Sequence, residues 1–160
     1  MASYLYLVTV QIEVRMTPET LFSLSGPLAM LGWLALALSP LAPRAAQWVS
    51  ALVIPALLSV AYAALILIGW PSAEGGFDSL ANVMALFTSP WVALAGWLHY
   101  LAFDVFVGAW EVRTARREGI AHALVLPCLL LTFLFGPAGF ALFLAIRAAR
   151  HFAFPPQQEA

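Results

Sequence analysis

Four apolar runs, at residues 19–38, 45–70, 90–112 and 121–146, leave this chain little choice of fold. A hydrocarbon core of about 30 Å is crossed by about 20 residues rising 1.5 Å each, and every run reaches that length. Within the core each backbone amide must find its partner in the chain itself, which the helix provides. The composition agrees: 63% of residues are hydrophobic and 9% charged, against about 25% charged in a soluble domain, and the mean hydropathy is +0.92. The expected architecture is all-α, an integral membrane bundle of four antiparallel transmembrane helices forming one domain over residues 16–150.

The flanks fit that frame. The opening run 4–10 is too short to cross, ends in Gln11, Glu13 and Arg15, and lacks the basic leader and small-residue cleavage site of a signal peptide. Thr17-Pro18-Glu19 has the form of a helix start, with a capping hydroxyl, proline in the first helical position and an acid in the first turn. One reading takes Met16 as the natural start and 1–15 as an extension upstream of it, with Met1 as the alternative, and 151–160 forms a C-terminal tail. Glu74-Gly75-Gly76 marks a turn, residues 78–88 suit a short amphipathic helix at the interface, and Ser89-Pro90 opens the third span. No internal repeat is visible, which argues against an inverted-repeat transporter.

Charge and cysteine usage remove other functions. There is no lysine, and the seven basic residues are arginines 15, 44, 113, 116, 117, 147 and 150; with no basic stripe to neutralise phosphates, a nucleic-acid partner is not expected. Placing Arg44, Arg113, Arg116 and Arg117 on one face, and Arg147, Arg150 and Arg15 on the other, gives a weak bias that puts the two odd loops in the cytoplasm. Arg113, Arg116 and Arg117 read as orientation signals and lipid-headgroup contacts. Cys128 is the sole cysteine, so an intrachain disulfide and a cysteine-rich metal motif are both impossible. His122 opens the fourth run roughly 20 Å in depth from His99, and His151 lies beyond that run's far end. The three histidines cannot share one ion, and neither metal, haem nor another cofactor is expected. Phosphate loops, nucleophile elbows and zinc-hydrolase motifs are missing.

The third run carries the anomaly, His99-Tyr100-Leu101-Ala102-Phe103-Asp104 near its middle. An ionisable group at that depth costs at least about 3 kcal/mol and normally faces a bundle interior, a polar partner or a substrate. Walking each run in from its interface brings His99 level with Tyr62 and with 133–137, and Asp104 level with 127–132. A proline inside the fourth helix deprives the carbonyl four residues earlier of its amide, so Pro137 would free that of Phe133, and Pro127 that of Ala123. The candidate site therefore comprises His99, Asp104 and Tyr100, lined by Tyr62, Trp33, Trp97, Thr132, Phe133, Gly136 and Pro137. Gly136-Pro137-Ala138-Gly139 reads first as a kink and close-packing device. On the helix wheel Asp104 shares a face with Tyr100 and Gly108, and Glu111 continues the stripe near the interface. His99 stands roughly 140° away, so the two are not a dyad on one face. A structural role weighs equally for each: Asp104 bonded to Tyr62, Thr132 or backbone, His99 in an interhelical bond.

Phe87-Thr88-Ser89-Pro90, Trp97 to Asp104, Gly108, the arginine-rich loop, Pro127-Cys128-Leu129-Leu130 and Phe135 to Gly139 together resemble the abscisic-acid-deficient-4-like family, over about 16–147. That resemblance implies a four-helix membrane protein and, for plant members, isomerisation of the carotenoid epoxide violaxanthin to the allenic neoxanthin. The chain has no evident plastid transit peptide, which points to a bacterial plasma membrane and leaves the substrate open. Opening an epoxide to an allene is redox-neutral and needs an acid at the oxygen and a base at a nearby C–H. Protonated Asp104 would serve as acid and neutral His99 as base, or the reverse, with Tyr100 or Tyr62 hydrogen-bonding the oxygen. The rival is a non-catalytic protein that binds an isoprenoid or lipid or organises a partner enzyme; a proton pathway ranks third. Membrane lipids, a carotenoid or other isoprenoid ligand and a second copy in a homo-oligomer are the partners considered.

Overall fold

The computed structural model describes residues 17–153; the expected start at Met16, the extension 1–15 and the tail from 154 onward lie outside the described residues. The elements are α1 (Pro18–Ala37), α2 (Pro43–Trp48), α3 (Ile54–Gly69), α4 (Leu80–Leu86), α5 (Pro90–Arg117), α6 (His122–Phe135) and α7 (Pro137–Ala153). A π-helical turn, Val49–Val53, joins α2 to α3, so Pro43–Ser72 runs as one 30-residue helix. Among the described residues three helices are long and apolar enough to cross a membrane: α1, the helix Pro43–Ser72, and α5. The chain forms two compact units, one of residues 17–28 and 57–101, the other of 29–56 and 102–153.

Local chemistry explains the boundaries. Thr17 accepts the Thr20 amide on its hydroxyl at 3.2 Å, satisfying one of the donors that a helix start leaves over, and Pro18 follows where a missing amide costs nothing. The π turn precedes Pro55, which cannot donate to the carbonyl of Ala51 and crowds it, and the helix widens there rather than breaking. Ser79 caps α4 by accepting the Asn82 amide at 3.2 Å, so the interfacial helix is shorter than the expected 78–88. Proline 90 opens α5 as anticipated.

Two expectations are corrected. The third helix does not stop at Val112: no glycine or proline intervenes before Gly119, and α5 continues to Arg117. The fourth run is not one crossing. It divides at Gly136, whose φ of +40° and ψ of −93° are open to glycine and strained for other residues. Proline 137 is consequently the first residue of a new helix and not a kink inside an old one. The chain reverses there: Arg147 on α7 donates from Nε to both oxygens of Glu118 at 2.8 Å, and Arg150 donates to the Gly119 carbonyl. The far end of α7 thus returns to where α6 begins. With 14 residues, α6 spans about 21 Å, short of the core thickness, and the pair forms a helical hairpin in place of the fourth span. Arg147 and Arg150, expected on the opposite face from Arg116 and Arg117, lie beside Glu118 and Gly119 immediately after them.

The hairpin closes because Gly139 has no side chain. A Cβ at that position would lie 2.1 Å from the Thr132 amide nitrogen and 2.5 Å from the Cys128 carbonyl oxygen, so the two backbones approach as only glycine permits. Phe143 and Val125 are completely buried in the same unit, and Trp110 of α5 packs edge-on against Phe143, with ring centroids 5.6 Å apart.

Candidate functional site

The expected residues fall into two groups, one in each unit. The first is aromatic. Trp97 donates from Nε1 to the Ser25 hydroxyl at 3.2 Å, and its ring lies 5.2 Å from that of Phe22 and 5.4 Å from that of Tyr100. Tyr62 and His99 meet at a ring-centroid distance of 5.6 Å, tilted by 60°. Depth matching had placed Tyr62 beside His99, and that pairing is present. The imidazole is exposed, with the Tyr62 ring alongside it.

The second group is built on the lower half of α5 and the hairpin. Asp104 faces the break itself: a Cβ on Gly136 would come within 2.9 Å of Asp104 Oδ1, so the glycine supplies both the turn and the room for the carboxyl group. One helical repeat of seven further along, Glu111 is wholly buried at 0% exposure and its Oε1 accepts the Thr132 hydroxyl at 3.0 Å. Its Oε2 has no hydrogen-bond partner among the described residues. The two carboxyl groups are close enough to interact electrostatically. Trp33 is buried, its ring 5.6 Å from that of Phe133 in an edge-to-face contact, and it fills the space over Gly108, where a Cβ would meet it at 2.8 Å. Trp33 and Phe133 are thus packed wall rather than the lining of an open pocket.

The register differs from the one inferred from depth. The Thr132 hydroxyl bonds Glu111, and Asp104 sits by Gly136. The longer α5 accounts for this: it ends at Arg117, five residues beyond Val112, while α6 starts at His122, one residue later than assumed, so each position on α5 meets a later residue of the hairpin. Glu111 is the buried acid that the residues alone left as an interfacial end of the stripe. The signal was its position on the Asp104 face, together with a helix that had no reason to stop at Val112. Half-buried Asp104 keeps part of its surface open, and Phe103 beside it is 56% exposed. Cavities of about 670 Å³ and 300 Å³ lie at the arginine-bearing end, lined by residues such as Leu144 and Arg150 or Arg113 and Arg116, and include none of these carboxyl groups. No group of three or more His, Cys, Asp or Glu able to hold a metal occurs among the described residues.

The described residues are all-helical, with three helices long and apolar enough to cross a membrane and acidic groups set against a helix break, which defines a class: helical proteins of membrane-compatible composition. Residues 20–143 match the family model described as ABA DEFICIENT 4-like, and the chain belongs to that family. No match was found among curated proteins or among solved structures.

Proposed function

We propose that the protein is a membrane-embedded, redox-neutral isomerase of a carotenoid epoxide or related isoprenoid, with Asp104 as the group that meets the substrate. The observation that carries this reading is the pair of carboxyl groups at the hairpin break, Asp104 partly open and Glu111 buried behind it with one oxygen unpartnered. Two acids of unequal exposure can hold and pass a proton without a cofactor. In the reaction, the acid protonates the epoxide oxygen as its C–O bond breaks. The base takes a proton from the adjacent carbon chain, and the C–H pair becomes the new C=C of the allene; one proton is given and one taken. Asp104 gives its proton to the oxygen and, now a carboxylate, takes the proton from carbon, so that it ends the turnover as it began, while Glu111 shares the proton within the buried pair. An apolar substrate dissolved in lipid would approach the exposed side of Asp104 laterally, which needs no enclosed cavity.

The test is conversion of a purified carotenoid epoxide by the protein in liposomes. Asp104→Asn and Glu111→Gln are each expected to lower turnover by about 100-fold or more while pigment binding persists, and His99→Gln is expected to retain it. Unchanged turnover in both carboxyl variants overturns the catalytic assignment. Tight binding of an epoxide that the wild type returns unaltered favours the alternative, a non-catalytic isoprenoid-binding or partner-organising protein.

A further inference from the structure

We propose that the recess formed by Gln47, Arg113, Arg116 and Arg117 binds the phosphate headgroup of an anionic phospholipid. The recess measures about 300 Å³ and is lined by those four residues. Arginines 113, 116 and 117 occupy one turn at the end of α5, spaced three and four apart, so they share a face. Charges of one sign so placed repel one another, and no carboxylate lines the recess to relieve them. The nearest acid along the chain, Glu118, is held by Arg147 instead. The neighbour that Arg113 does have is neutral: Nη1 donates to Gln47 Oε1 at 3.3 Å, and Gln47 Nε2 is itself anchored on the Ala109 carbonyl at 3.0 Å. Arg113 is therefore braced in place without being neutralised. A guanidinium group presents paired donors that match phosphate oxygens, and three of them around one recess supply the countercharge site that the turn requires.

Two further observations favour a lipid over free phosphate. The recess lies at the Arg117 end of α5, just past its apolar stretch, where a helix of that length crossing a bilayer would meet the headgroups. Next to Gln47 on the same helix, Trp48 is 65% exposed and Leu52 is 50% exposed, an apolar flank along which an acyl chain can lie. The larger cavity nearby is the weaker candidate, because its Arg147 is already paired with Glu118.

The experiment titrates delipidated protein in neutral detergent with phosphatidylglycerol or phosphatidylcholine and counts retained lipid by native mass spectrometry. Saturable retention of phosphatidylglycerol, with none of phosphatidylcholine, is expected. Arg116→Gln and Arg117→Gln should each weaken it roughly fivefold, and the triple variant with Arg113→Gln should abolish it. Arg150→Gln, outside the recess, should bind as the wild type does. Equal weakening by Arg150→Gln would mean general charge attraction, and competition by millimolar inorganic phosphate would mean a free-phosphate site; either result overturns the proposal. Should the triple variant fail to fold, the two exposed single variants carry the test, and wild-type affinity in both overturns it.

Discussion

The two halves of α5 are polar in the same sense on paper and unlike in construction. In the upper half Trp97, His99 and Tyr100 make ring contacts that include Phe22 and Tyr62, and Trp97 donates a hydrogen bond to Ser25. Ring contacts tolerate tilts and small displacements, so such a cluster survives many substitutions. In the lower half Asp104 and Glu111 are placed by backbone: a positive-φ glycine at one, the Thr132 hydroxyl at the other, and a hairpin that closes only over Gly139. The difference teaches that the demanding geometry in this chain surrounds the carboxyl groups, and that is where chemistry has the strongest claim.

The sharpest way to break the comparison is Gly139→Leu. A side chain cannot share space with the Thr132 amide, so a loss of about 3 kcal/mol or more is expected, or no folded protein at all; thermal unfolding and detergent-soluble yield measure it. If the variant folds with a wild-type Tm, the hairpin is not closed as described. Next comes Thr132→Val against His99→Gln. Removing the hydroxyl strips the buried Glu111 carboxyl of its donor and should cost about 1–3 kcal/mol, whereas the exposed imidazole should change stability by no more than about 0.5 kcal/mol. Equal effects in the two halves would erase the distinction drawn between them.

The smallest effect belongs to the hairpin base. The hydrogen bond from Arg147 holds the Glu118 carboxyl below its ordinary value of 4.5. A carboxyl group with a lowered folded-state pKa contributes stability above the unfolded value, and that contribution is lost as pH falls through the lower folded one. Arg147→Gln should therefore lower Tm slightly at neutral pH, with the difference vanishing well below pH 4.5 and shrinking in high salt, since both side chains are exposed. A difference that persists at low pH would assign the role of Arg147 to packing.

Much of this fold was legible in the residues. Thr17-Pro18-Glu19 and Ser89-Pro90 start helices where they should, because caps and first-turn prolines act locally. Family membership was legible for the same reason, being carried by short motifs. The hairpin was not, although Gly136-Pro137 is also the ordinary signature of one helix ending and another beginning. A long apolar run satisfies the length rule whether it crosses or turns back, and hydropathy contains no term for direction. Glu111 was missed through the same error, since its burial depends on a hairpin that covers it.

The return of α7 also bears on how the protein is made. A membrane-insertion machinery that gauges each segment by its greasiness meets residues 121–146 as a stretch fit to be threaded through, yet the finished molecule holds them as a doubled-back wedge. The choice must then be made against helices already in place. Asp104, which lies against Gly136, and Glu111, which bonds Thr132, are synthesised first and wait in α5 for the wedge to arrive. On this view the two acids serve assembly, and variants that lack them are expected to show a defect at biogenesis, read as a lower membrane-inserted yield.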